Sequence, residues 1–161
     1  MRRSVTFLTA LLVVVGGTFA SPAYADKPQP IEDRFVDRSS CDFPVAIHIW
    51  GKASYKAFTR DGVLYKEIAT SPGFKVSFTN LRTQETVRYA ITSPGIVKQE
   101  QSGQTTFVEV GPWAWQFNPI TGEEGWWITR GRHVTVYDAD GNIISATFSG
   151  RLIDVCNEVA A

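Results

Sequence analysis

Glu123-Glu124 followed by Trp126-Trp127 puts carboxylates and indoles side by side. Paired carboxylates with aromatic platforms are what glycoside hydrolysis uses: the acids move a proton and attack, and the rings stack on sugar. Neighbouring residues of a strand point to opposite faces, however, so adjacent glutamates do not converge on one bond. Their setting, between Asn118-Pro119 and Gly125, reads as a solvated hairpin tip. His48 and His133 are the only histidines. His133 has the chemistry of a general base if a carboxylate such as Glu109 or Glu124 orients it. Otherwise each histidine is a strand residue with a hydrogen-bond partner. No spacing adds the further ligands that zinc needs. Asp138-Ala139-Asp140-Gly141-Asn142 opens like a calcium loop, but residues 143–148 supply no distal acid, and a tight turn at Asp140-Gly141 accounts for it. A Gly-x-Ser-x-Gly elbow and a phosphate-cradling glycine loop are both missing. These residues imply no metal and no cofactor. They place a binding protein ahead of an enzyme, with a small hydrolase or isomerase built on His133 as the lesser alternative.

The aromatic residues between 107 and 137 form the denser constellation, with four of the five tryptophans. They lie on two apolar runs separated by the turn-rich residues 118–125, the pattern of two strands joined by a long hairpin. Trp113, Trp115 and Phe117 alternate and so share one face. They either fill a core or line a pocket for a small apolar or aromatic ligand, with indole N–H groups and Arg130 or Arg132 at its mouth. Trp126 and Trp127 are adjacent, so one is expected inward and one outward. The outward ring would be exposed to a glycan or an extracellular protein. The candidate ligand-binding residues are therefore Trp113, Trp115, Phe117, Trp126, Trp127, Arg130 and His133.

The elements that must position these side chains are strands. Val45, Ile47 and Ile49 alternate with Ala46, His48 and Trp50, and the same period of two recurs at Phe74-Val76-Phe78 and Val87-Tyr89-Ile91. Asp61-Gly62 is a tight-hairpin signal, and Thr-Ser-Pro-Gly occurs twice, at residues 70–73 and 92–95. No window has sustained helical periodicity. Short strands at 8–12-residue spacing predict an all-β, antiparallel domain. Short connections favour an up-and-down β-barrel of about eight or more strands, and a two-sheet β-sandwich is the alternative.

Met1-Arg2-Arg3, the apolar residues 5–20 and Ala23-Tyr24-Ala25 read as a secretory signal peptide, residues 1–25, cleaved before Asp26. Residues 26–40 then form a polar N-terminal arm, residues 41–156 the single β domain, and residues 157–161 a short tail. The run is too short and interrupted to remain as a membrane span. The 16 basic and 16 acidic residues become 14 and 16 when Arg2 and Arg3 are removed, which argues against nucleic acid as a partner. Cys41 and Cys156 are the only cysteines, and in an exported chain they are expected to form one disulfide tying the ends of the domain. The expectation is a secreted, extracellular monomer.

Ser40-Cys41-Asp42-Phe43-Pro44-Val45 at one end, and residues 137–142 with Gly150-Arg151-Leu152-Ile153-Asp154-Val155-Cys156 at the other, resemble a group of small secreted proteins of actinobacteria. Those begin with a signal peptide and a Cys-x-Phe-Pro segment and end with Gly-Arg-Leu-x-Asp-x-Cys. The resemblance covers the ends, leaves out the tryptophan hairpin and transfers no catalytic residue.

Overall fold

The structure is a computed structural model and describes residues 27–160; the signal peptide expected at residues 1–25 lies outside them. Nine strands follow in order: β1 (Gln29–Asp37), β2 (Val45–Arg60), β3 (Val63–Thr70), β4 (Lys75–Asn80), β5 (Thr86–Ala90), β6 (Gly95–Gln99), β7 (Thr105–Phe117), β8 (Glu124–Tyr137) and β9 (Ile143–Asp154). A single helical turn, α1 (Val155–Glu158), closes the chain. The protein is all-β, as the period-2 alternation requires. The segment expected to be a polar arm is instead largely strand β1, paired with β2 from Gln29↔Ala53 to Asp37↔Val45. The expected tail is not loose either, because Val159 is fully buried.

All strands belong to one antiparallel sheet in the order β5-β4-β2-β3-β6-β7-β8-β9, with β1 also on β2. The expected up-and-down meander is kept, with its strands broken in two places. β4 continues β3 along β2 in nearly the same register, and β6 continues β5 along the same hairpin, so each pair acts as one bent strand. The expected closure is not seen, since the sheet is not closed into a barrel. Long β2 runs through both halves. Its residues 45–50 lie between β1 and β4, and its residues 54–60 pair with β3. The β2–β3 turn uses Asp61 at φ 54° and Gly62 at φ 79°, the two positive values that an Asp-Gly hairpin supplies cheaply.

The main apolar core lies where β2, β4 and β5 face the Trp126–Ile128 part of β8. Val45, Ile47, Val76, Phe78, Trp126 and Ile128 are all buried there. Val155 and Val159 extend it, and Asn80 donates its amide to the Val159 carbonyl at 2.9 Å. Cys41 and Cys156 are joined in a disulfide across a sequence separation of 115, with Cα atoms 5.6 Å apart.

A glycine line bends the other end of the sheet. Gly111, Gly131 and Gly150 are cross-strand neighbours on β7, β8 and β9. A Cβ at Gly131 would strike the Ser149 carbonyl oxygen, and one at Gly150 the Arg130 carbonyl oxygen. At Gly111 it would come within 2.7 Å of Ser93 Oγ. Only glycine allows three strands to crease together here. The two Thr-Ser-Pro-Gly segments meet beside this crease. Ser71 donates to the Ile91 and Ser93 carbonyls, and Ser93 donates to the Pro112 carbonyl at 2.6 Å. The repeated motif thus marks the two points where the chain crosses between halves of the sheet. Phe107 and Trp115 show how sharp the bend is. An extended strand would hold them about 26 Å apart, yet their ring centroids are 6.4 Å apart.

Candidate functional site

Inside the curl, register places Tyr55, Ala69, Gly95, Glu109, His133 and Phe148 in one row across β2, β3, β6, β7, β8 and β9. Directly paired residues share a face, so all six line the concave side. Glu109 and His133 are 1% and 3% exposed, and the Nδ1–Oε2 distance is 3.5 Å. Thr135 Oγ1 lies 3.1 Å from the other ring nitrogen, Nε2. The crease folds the far end of β7 back over this pair. The Trp115 ring stands 5.1 Å from the His133 ring and 5.1 Å from the Phe117 ring, edge-on in both cases. Phe148 meets His133 from β9 at 6.5 Å.

The cluster is short of partners. Both carboxylate oxygens of Glu109, Nδ1 of His133 and Nε1 of Trp115 are buried without a well-formed hydrogen bond, with only one another in loose reach. Burial pushes the Glu109 carboxyl up from its ordinary range, and His133 and Trp115 beside it offset only part of that. Tyr137 is raised by burial and then by the Glu109 charge, with Thr135 acting in the opposite sense. A buried carboxyl, an imidazole and an indole N–H converging within aromatic walls can accept and donate hydrogen bonds to one small polar group.

Of the residues singled out in the sequence, Trp115, Phe117 and His133 come together. Trp113 shares their strand face opposite Thr129. Trp127 pairs with Trp115 and is half-buried. Trp126 turns to the opposite face and into the main core, 6% exposed, so neither member of the Trp126-Trp127 pair is the outward ring expected. Arg130 stands at the mouth of nothing. It is exposed, one residue out of phase with Thr129 and Gly131, on the face opposite His133. Glu124 is exposed opposite Phe117, and the Asp138 carboxylate is taken up by turn hydrogen bonds from Asp140 and Asn142. Among the described residues no group of three His, Cys, Asp or Glu gathers to hold a metal. Glu109 was named in the sequence only as a possible partner. Phe107, Thr135, Tyr137 and Phe148 are further residues of the site that the sequence reading missed; counting from the hairpin tip is thrown off by one at the register shift between Trp115 and Phe117, and Phe148 enters from β9.

Comparison with protein-family models, curated proteins and solved structures finds no match to this chain.

Two other features lie apart from the cluster. Asp37, 8% exposed, accepts from the backbone and hydroxyl of both Ser39 and Ser40, from Gln116 at 3.1 Å and from the Trp126 indole at 2.7 Å. Burial alone would raise its carboxyl, but the donors from Ser40, Ser39 and Trp126 outweigh it and hold the carboxyl well below the usual range. With every lone pair engaged, Asp37 locks β1 to β7 and β8. An open groove of about 670 Å³ lies elsewhere, lined by residues including Pro30, Glu32, Trp50 and Pro72. Beside it His48 stacks on Trp50 at 4.4 Å and meets Glu32 at 3.0 Å. Among the described residues no helix is long and apolar enough to cross a membrane.

Proposed function

We propose that this is a secreted protein that binds a small apolar or aromatic ligand within the curl. The ligand's polar end meets Glu109, and its apolar body lies against Trp115, Phe117 and Phe107. On this reading the sheet serves as an open barrel, with the creased ends of β7 and β8 as one wall. The observation that carries the reading is the gathering of buried, unpartnered polar atoms on Glu109, His133 and Trp115. Most buried polar groups are hydrogen-bonded, and leaving one unmade costs about 1–3 kcal/mol. A ligand with one donor and one acceptor recovers that cost. The disulfide, the signal-like N-terminus and the resemblance at the two ends support export.

A hydrolytic or isomerising use of His133 is less favoured. Glu109 is placed to orient the ring, but Nε2, the nitrogen that would take a substrate proton, faces Thr135, and the ring is 3% exposed.

The test is titration with the neutral aromatic fluorophore N-phenyl-1-naphthylamine. Saturable binding is expected, weakened about tenfold or more by Trp115→Phe, which keeps a ring and removes the N–H, and by Glu109→Gln. Trp50→Phe, outside the curl, leaves it unchanged. Absence of saturable binding, or equal affinity in all variants, contradicts the reading.

A further inference from the structure

The convex side of the same six strands carries a different chemistry. Register aligns Lys56, Ile68, Ile96, Val108, Val134 and Thr147 in one row, and Phe58, Lys66, Lys98, Thr106, Val136 and Ser145 in the next. A third row holds Val110, Arg132 and Ser149. Five strand spacings make each full row about 24 Å wide. No Asp or Glu stands on any of the three rows, although the whole sequence has as many acidic as basic residues. Lys56, Lys66, Lys98 and Arg132 form no ion pair with another described residue. Ile68, Ile96, Val108, Val134 and Val136 are partly exposed, and Val110 is 49% exposed. The face is therefore an apolar strip edged by uncompensated cations.

The β2–β3 hairpin continues it. The Lys56 and Lys66 ammonium groups lie 5.0 and 5.3 Å from the centre of the Phe58 ring, and Arg60 lies 5.1 Å from that of Tyr65. Val63 beyond them is 68% exposed. Lysine stems resting on apolar rows, with an aromatic ring and an arginine at the tip, match the boundary between water and a lipid headgroup layer.

We propose that this convex face docks on an anionic phospholipid surface. The charge selects an anionic partner. The form of the face favours lipid over an acidic protein: protein interfaces rest on a few aromatic or arginine anchors in fitted pockets, whereas a fluid anionic surface needs only an apolar strip and a cationic border. Docking by this side leaves the concave ligand cluster on the opposite side of the sheet.

The test is cosedimentation of the disulfide-bonded protein with vesicles of mixed phosphatidylglycerol and phosphatidylcholine, beside pure phosphatidylcholine. Binding is expected to the anionic vesicles, falling with salt. A lysine near such a surface contributes about fivefold in affinity, so Lys56→Gln/Lys66→Gln/Lys98→Gln binds about a hundredfold more weakly. Val110→Asp also weakens it, and Lys75→Gln/Arg88→Gln, on β4 and β5, does not. An unchanged thermal melt shows that the triple variant is folded. Failure of the protein to bind anionic vesicles, equal binding to pure phosphatidylcholine, or equal losses in both lysine and control variants overturns the proposal. So does capture by dextran sulfate without any vesicle binding, which would assign the face to an anionic polymer.

Discussion

Glu109 on β7 and His133 on β8 stand directly opposite each other, 3.5 Å apart at Oε2 and Nδ1, almost wholly shielded from water. The crease at Gly111, Gly131 and Gly150 creates this shielding, because it swings Trp115 back over a pair that an uncreased sheet would leave open.

The pair predicts a pH dependence. The folded Glu109 carboxyl titrates above its unfolded value of about 4.5, so its contribution to stability is complete below that value and is lost as pH rises through the folded one. Glu109→Gln removes the buried charge while keeping a donor and an acceptor. It is expected to be about 1–3 kcal/mol more stable than the natural protein at alkaline pH, with the difference vanishing in acid. Thermal melts across pH check this.

Asp37 predicts the opposite slope. Its carboxyl is held below the usual range, so its contribution is present above the unfolded value of about 3.8 and fades as pH falls through the folded one. Asp37→Asn, which turns an acceptor that faces several donors into a further donor, should lose about 2–4 kcal/mol at neutral pH. Urea unfolding at pH 7 and pH 3 should show the loss shrinking in acid.

The crease is testable by one methyl group. Gly131→Ala drives a Cβ into the Ser149 backbone, which cannot give without unpairing β8 from β9. A loss of about 3 kcal/mol or more is expected. Gly122→Ala, at an open turn where a Cβ meets nothing within 4 Å, should cost less, although its φ of 75° carries some strain. Denaturant midpoints of the two variants separate the effects.

The disulfide closes most of the chain. In the chain-entropy model such a loop contributes about 4–5 kcal/mol. Cys41→Ser/Cys156→Ser should lower the midpoint accordingly, and reduction of the natural protein should reproduce the shift.

Much of this was legible in the residues. Alternation at Val45-Ile47-Ile49 and Phe74-Val76-Phe78, and the Asp61-Gly62 turn, marked strands that the structure contains. The disulfide followed from cysteine number. The breaks at residues 71–74 and 91–94 hid the path of the sheet, because each splits one bent strand into two short runs that look like separate strands. Closure was not legible either, because it depends on how the sheet edges meet and not on any local pattern; the sheet is not closed into a barrel. His133 with Glu109 was only half open to view: Glu109 lies nine residues before the 118–125 turn and His133 eight after it, and the register shift between Trp115 and Phe117 that brings them opposite has no local signal. Arg130 was misplaced by strand phase, being even-numbered where the cluster residues of β8 are odd. The glycine crease gave no warning in sequence, because it depends on three distant glycines falling into register.

The proposed ligand of the curl is held at Glu109. Native and denatured mass spectra of the protein purified from its natural source are the test. Extra mass is expected in the native spectrum, absent after denaturation and absent in Glu109→Gln prepared alike. A native mass equal to the denatured one, or extra mass retained unchanged by Glu109→Gln, would contradict it.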